Sequence, residues 1–401
     1  MRALTALLLA AAALLGAAAG AAAAPPDDLS DDPLDRGVLL ALPSLYRVEA
    51  TMHVEALRTR DGRQVPIPPE AREIHERGSA FAVAPGGWLV TARHVVAPDP
   101  ETLARLAYQN ALAYEMRAHS DAVAERWVER TGARPVGARL ERLVVRQADA
   151  GEGPARARTY APTRAPIASR RADLALLRIR APGAPALTMD ESASIGTPVA
   201  SLGFGSGGAF AEPTRGDLEP AVRRGALGLT GLLEEDTPEQ RQAILLTIPL
   251  EPGDSGGPVV DAAGNARGVA VIRTEHGGIA ERATEVRQLL EGVDVEPSPG
   301  RSAQLFRGAM DRFWDLDLTA AERGLAAAGR AFPDHTLAAL EARRARELAL
   351  ADFDLVGERR RQGFLLALGA LAVAAALACA AGLARQGGRG RGSLRTPTER
   401  G

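Results

Sequence analysis

The chain has 401 residues with 48 basic and 50 acidic side chains, a formal net charge of -2, so no global electrostatic attraction to nucleic acid exists. All 48 basic residues are arginine, a coding bias that carries no chemistry of its own. The single cysteine, Cys379, cannot form an intramolecular disulfide, which excludes disulfide-scaffolded secreted classes and leaves core burial to hold the fold.

At the N-terminus, Met1-Arg2, an apolar run from Leu4 to Leu15 and the small residues Ala21 to Ala24 before Pro25 have the three regions of a secretory signal. Residues 1–24 are therefore expected to be removed; an uncleaved N-terminal anchor is the alternative, and both place the next domain outside the cytoplasm. Residues 25–38 are acidic and proline-containing and read as a solvated linker. From residue 39 to 293 the chain is a succession of short apolar runs: 46–57, 79–84, 88–92, 174–179, 198–203, 243–248, 258–261 and 267–272. Ala84-Pro85-Gly86-Gly87 and Asp261-Ala262-Ala263-Gly264-Asn265 are turn signals between such runs. That spacing predicts a mainly β, antiparallel barrel or sandwich.

One stretch, about 100–131, departs from the pattern, with Leu103, Leu106, Leu112, Met116, Val123 and Trp127 at helical spacing, and predicts an inserted helix or helix pair. Residues 294–302, containing Pro297-Ser298-Pro299-Gly300, read as a linker. Residues 303–357 are again helical in pattern, divided at Pro333, and are expected to form a helical stalk or packing helices. Residues 364–384 contain no charged side chain and at 1.5 Å per residue reach about 30 Å, a bilayer's hydrocarbon thickness. They predict one C-terminal transmembrane helix, with an Ala-rich core helix as the alternative. The basic residues 385–401 then form a short cytoplasmic tail.

Three segments carry chemistry. Gly253-Asp254-Ser255-Gly256-Gly257-Pro258 sets a hydroxyl on a glycine-rich turn whose N–H groups can converge on one point. A serine hydroxyl needs a base and the base needs an orienting carboxylate. Thr91-Ala92-Arg93-His94-Val95-Val96 supplies a histidine at a strand end, and Ala172-Asp173-Leu174-Ala175-Leu176-Leu177 supplies an aspartate at a strand start. These blocks, with Ser79-Ala80-Phe81, resemble in order those of trypsin-like serine proteases, and within them the HtrA (Deg) group, over residues 78–293.

The resemblance implies two antiparallel six-stranded barrels with the active site between them. It further implies Ser255 as nucleophile, His94 as general base and acid, Asp173 fixing the imidazole tautomer, and the N–H groups of Gly253 and Ser255 as oxyanion hole. It puts Pro249 at the floor of the substrate pocket, with the strand through Val271 as its wall, which argues against cleavage after Arg or Lys and for aliphatic side chains. Arg273 and His276 suggest the competing acidic preference.

Departures are visible too. No PDZ domain follows residue 293. Asp254 stands where the HtrA group commonly has Asn; in digestive proteases this Asp pairs with a newly cut N-terminus, yet no activation site precedes residues 39–48, so its partner is open. Gly203-Phe204-Gly205-Ser206-Gly207-Gly208 matches G-x-G-x-x-G but opens no helix, so no dinucleotide site is expected. His53, His75, His119, His276 and His335 show no ligand spacing, so neither metal nor cofactor is expected. The function so read is a membrane-anchored, extracytoplasmic serine endopeptidase acting on protein or peptide substrates, with no nucleic-acid partner. The rivals are a catalytically silent peptide-binding member and an envelope interaction protein working through the insertion and stalk.

Overall fold

The fold begins at Asp32, whose carboxylate accepts the Leu34 N–H (2.9 Å) and caps helix α1 (Pro33–Ala41), with proline at its first position. The computed structural model describes residues 32–116, 121–147, 158–192, 194–205, 219–232, 242–274, 277–351 and 353–389. The expected signal, residues 1–24, lies outside them. Within the expected linker 25–38, Asp32-Pro33 is a helix start, and α1 buries Leu34, Val38 and Ala41.

Strand β1 (Leu45–His53) is followed by the short β2 (Ala56–Arg58) and β3 (Gln64–Pro66), then by β4 (Glu73–Ala84) and β5 (Trp88–Ala92). A single helical turn α2 (Arg93–Val96), helices α3 (Pro100–Met116) and α4 (Asp121–Thr131), and strands β6 (Arg134–Val136), β7 (Arg139–Gln147), β8 (Thr159–Tyr160), β9 (Ile167–Ala168) and β10 (Leu174–Arg178) complete the first half. Its main sheet has seven strands in the order β8-β7-β1-β4-β5-β10-β9. Among the described residues this is an open ladder and not the expected first six-stranded barrel. The segment after β8 meets the end of β10 through an antiparallel bridge, Pro162 to Ile179, and through Thr163 N–H to Arg178 O (2.7 Å).

The second half meets the expectation. Strands β11 (Pro198–Gly203), β12 (Ala221–Leu232), β13 (Gln242–Leu246), β14 (Pro258–Val260), β15 (Ala266–Thr274) and β16 (Gly277–Arg282) close into a six-stranded barrel in the order β11-β12-β13-β16-β15-β14. One core runs through both halves, including Phe81, Leu89, Leu176, Leu202 and Val269. Because these strands are covered on both faces they read as continuous apolar runs, as in β5, where all five residues are buried.

The insertion is the expected helix pair, but it is part of a small subdomain. Helices α3 and α4 pack with the three-stranded sheet β3-β2-β6 around Met52, Leu57, Ile67, Leu103, Ala107 and Val128, and Tyr108 stacks on Trp127 at 4.0 Å.

After α5 (Ala283–Glu291), residues 294–302 do not hang free. Ser298 N–H donates to Val83 O (3.2 Å) and Ala186 N–H to Pro299 O (3.1 Å), which ties the segment along the first sheet. Helices α6 (Gly300–Trp314), α7 (Leu318–Ala331) and α8 (Thr336–Leu350) then bury Phe306, Met310, Phe313, Leu325 and Leu337 together, against Leu39, Leu40 and Leu42 at the end of α1. The expected stalk is corrected to a bundle packed on the barrel half. Each helix carries an apolar stripe, and α1 supplies the surface that covers them. Asp334, between α7 and α8, accepts from Tyr160 Oη (3.0 Å) and pairs with Arg158 (2.7 Å).

The last helix, α9 (Leu355–Arg389), is joined to this bundle by Arg360 Nη1 to Asp317 Oδ2 at 2.6 Å. Its side chains are described as far as residue 375, and Phe364, Leu365, Leu366 and Leu371 are exposed. Among the described residues no helix is long and apolar enough to cross a membrane. Residues 390–401 of the basic tail lie outside the described residues.

Candidate active site

The pairing of β5 with β10 explains how two distant motifs meet. Ala92 is opposite Leu174, so the residues that follow Ala92 and precede Leu174 lie at the same end of the ladder. There Arg93 N–H donates to the Asp173 carbonyl (3.0 Å), His94 N–H donates to Asp173 Oδ1 (3.0 Å), and His94 Nδ1 lies 2.6 Å from Asp173 Oδ2. One carboxylate thus fixes both the backbone and the ring of the histidine. Asp173 is itself buried, and its N–H donates to Oε1 of the fully buried Glu281 on β16 (2.9 Å), a tie between the halves.

Burial pushes the His94 imidazole pKa down, but the hydrogen bond and charge of Asp173, aided by Glu76, outweigh it and hold the ring above its ordinary value. Burial likewise raises the half-buried Glu76 carboxyl. Neutral imidazole is therefore lost, as pH falls, at a pH above the ~6.5 of a free histidine. Glu76→Gln removes one charge that favours imidazolium, and is expected to move the acid limb of the kcat/KM profile to lower pH. An unchanged limb would show that the Glu76 charge does not reach the ring.

Ser255 sits on the connection from β13 to β14. Ahead of it, Asp254 N–H donates to Glu251 O (3.0 Å), closing a turn with Pro252 and then Gly253 at its centre. Gly253 has φ 101°, as the third position of such a turn demands, so glycine is needed there. Ser79 N–H donates to Ser255 O (2.8 Å), which pins the Ser255 loop of one half on β4 of the other. Among the described residues, the N–H groups of Gly253 and Ser255 have no acceptor. The Ser255 hydroxyl donates to the Val271 carbonyl at 3.1 Å. No hydrogen bond joins it to His94 among the described residues.

Of the expected pocket residues, Val271 is buried while Pro249 and Arg273 are exposed. Leu250, the neighbour of Pro249, is the buried one and packs on Gly278. His119, His276 and residues 206–208 of the glycine run lie outside the described residues.

Three contributors have no signature in sequence: Glu281, Glu76 and Arg223. The last answers the open question of Asp254, which is buried and pairs with Arg223 Nε at 2.8 Å. The glycine pair Gly203 and Gly205 was the one available signal, since both pack against Asp254 and neither leaves room for a side chain.

A closed antiparallel barrel, a histidine gripped by an aspartate and a serine on a glycine-rich loop define the class of trypsin-like serine peptidases. Residues 78–269 match the model of the trypsin-like peptidase domain. No curated protein matches the chain. Among solved structures, the HtrA-type protease AlgW with a decapeptide aligns at 20% identity and a TM-score of 0.40, covering 64% of this chain and 67% of that one. The active form of the Rv3671c protease from M. tuberculosis aligns at 18% identity and 0.39, covering 69% of this chain and 91% of that one. The serine endoprotease from Yersinia pestis aligns at 16% identity and 0.39, covering 67% and 68%.

Proposed function

We propose that this peptidase is a membrane-anchored, extracytoplasmic enzyme that cleaves protein substrates through an acyl-enzyme on Ser255. The observation that supports it most is the two-point grip of Asp173 on His94, which leaves Nε2 as the free basic nitrogen of the ring. In this reading His94 Nε2 takes the Ser255 proton as Oγ attacks the scissile carbonyl carbon. The oxyanion so formed accepts from the N–H groups of Gly253 and Ser255. The proton then passes from His94 to the leaving amine, the C–N bond breaks, and water repeats the sequence to release the acid and restore Ser255.

For the pocket, Pro249 and Val271 offer no carboxylate, so aliphatic burial at ~0.8 kcal/mol per methylene is the expected determinant. Anchoring is supported by the signal pattern of residues 1–24 and by the uncharged stretch 364–384 within α9, whose exposed Phe364, Leu365 and Leu371 need a non-aqueous neighbour.

One experiment addresses both parts. Cells expressing the full chain, the chain ending at Arg361, and Ser255→Ala are fractionated and treated with a fluorophosphonate probe. The full chain is expected to label in the membrane fraction, the shortened chain in the soluble fraction, and Ser255→Ala not at all. Undiminished labelling of Ser255→Ala would remove Ser255 as nucleophile, and a shortened chain still in the membrane would remove α9 as the anchor.

A further inference from the structure

Asp254 is 1% exposed and lies between Gly253 and Ser255, whose N–H groups have no acceptor among the described residues. A carboxylate this deeply buried must be neutralised by a cation and by hydrogen bonds, or the segment that carries it rearranges toward water. The cation comes from the adjoining hairpin. Arg223 on β12 directs Nε to Asp254 Oδ2 at 2.8 Å and Nη2 to Glu251 Oε2 at 3.1 Å, and donates from Nη2 to Gly205 O at 3.3 Å. The same Asp254 oxygen accepts the Glu251 N–H at 2.8 Å, so one guanidinium and one carboxylate hold both ends of the Glu251-Pro252-Gly253-Asp254 turn.

Around this pair the chain is cleared of side chains. A Cβ on Gly205 would overlap the Asp254 carboxylate, and one on Gly203 would lie 2.8 Å from its Cα and Oδ1. Ser79 completes the frame: its hydroxyl donates to Gly253 O at 2.7 Å and accepts the Phe204 N–H at 3.1 Å. The turn is thus held from β4, from the end of β11 and from β12, and among the described residues the charge that balances Asp254 is Arg223.

We infer that Arg223 is the positioning residue of the oxyanion turn: through its ion pair with Asp254 it keeps the Gly253 and Ser255 N–H groups aimed at one point. The inference rests on the peptidase reading for its rate consequences but not for its structural one. Arg223 touches no substrate atom and acts only through Asp254.

The test compares the full chain with Arg223→Met, Arg223→Lys and the double variant Arg223→Met/Asp254→Asn, by kcat and KM on a short peptide amide and by hydrogen exchange of residues 251–257. Arg223→Met is expected to lower kcat by about 10²–10³-fold, the scale of a lost oxyanion donor, with KM within about twofold. Exchange in residues 251–257 should rise roughly tenfold while the helical bundle is unchanged. Arg223→Lys keeps the charge and should retain part of the rate. The double variant, with no unpaired buried carboxylate, should regain about tenfold or more over Arg223→Met, and keeps the test open where the single variant fails to fold.

Arg223→Met with near-normal kcat and unchanged exchange overturns the inference. A double variant as poor as the single one also overturns it, because Arg223 would then act by some route other than Asp254. An inert wild-type chain whose exchange in residues 251–257 still responds to Arg223→Met would remove the peptidase reading and leave the positioning role standing.

Discussion

Asparagine in place of Asp173 is expected to lower kcat by roughly 10⁴-fold while the protein stays folded. The geometry dictates why. Asp173 uses one oxygen for the His94 backbone N–H at 3.0 Å and the other for Nδ1 at 2.6 Å, so it acts as an acceptor twice. An asparagine can keep only one acceptor. If its oxygen stays on the backbone N–H, its NH₂ faces Nδ1 and donates, which moves the ring proton to Nε2. That tautomer cannot take the Ser255 proton. Steady-state kinetics on a peptide amide should therefore show a loss in kcat with little change in KM, and a loss below about tenfold would remove Asp173 as the orienting carboxylate.

Gly256→Ala is the second large effect, and it acts first on stability. Gly256 has φ 91°, and a Cβ there would overlap the Ser79 carbonyl oxygen and lie 2.5 Å from Thr91 Oγ1 and 2.9 Å from Ala92 N. These atoms belong to β4 and β5 and cannot swing aside as a flexible side chain can. Thr91 Oγ1 is already committed to Ser79 O at 2.7 Å, so any shift breaks a buried hydrogen bond as well. Backbone strain and overlap together should cost about 3 kcal/mol or more, read as a lower denaturation midpoint. Because Ala92 leads directly into His94, the displaced backbone should also abolish fluorophosphonate labelling. A fully stable, fully labelled variant would mean that the two halves do not meet at this point.

The parts of the fold legible in the sequence are those with one dominant physical cause. β5 and β11 coincide with the apolar runs 88–92 and 198–203 because strands covered on both faces admit few polar residues. α3 and α4 were legible from helical spacing. β7 and β12 are harder to read: they carry arginines at exposed and partly exposed positions, and half-exposed strands dilute the apolar signal. The strand order of the first sheet depends on pairings between distant segments, which no single run reveals. The histidine, aspartate and serine were legible because each lies in a compact motif, whereas the residues that support them do not. Arg223 reaches Asp254 from 31 residues away, and Glu281 reaches Asp173 from 108. Such contacts are set by barrel closure, not by spacing along the chain.

The attachment of the helical bundle has a mechanical consequence. Asp334 ties the bundle to the first sheet through Arg158 and Tyr160, residues 294–302 run along that sheet, and Asp317 ties it to Arg360 at the root of α9. A catalytic head on a flexible tether sweeps a volume and meets whatever diffuses into it. A head clamped to its anchoring helix keeps one height and one orientation above the surface in which that helix sits. For a chain anchored through α9, the cleavable bonds would then be those a substrate presents at that height, so that selection falls on where a bond lies relative to the bilayer as much as on the residues beside it.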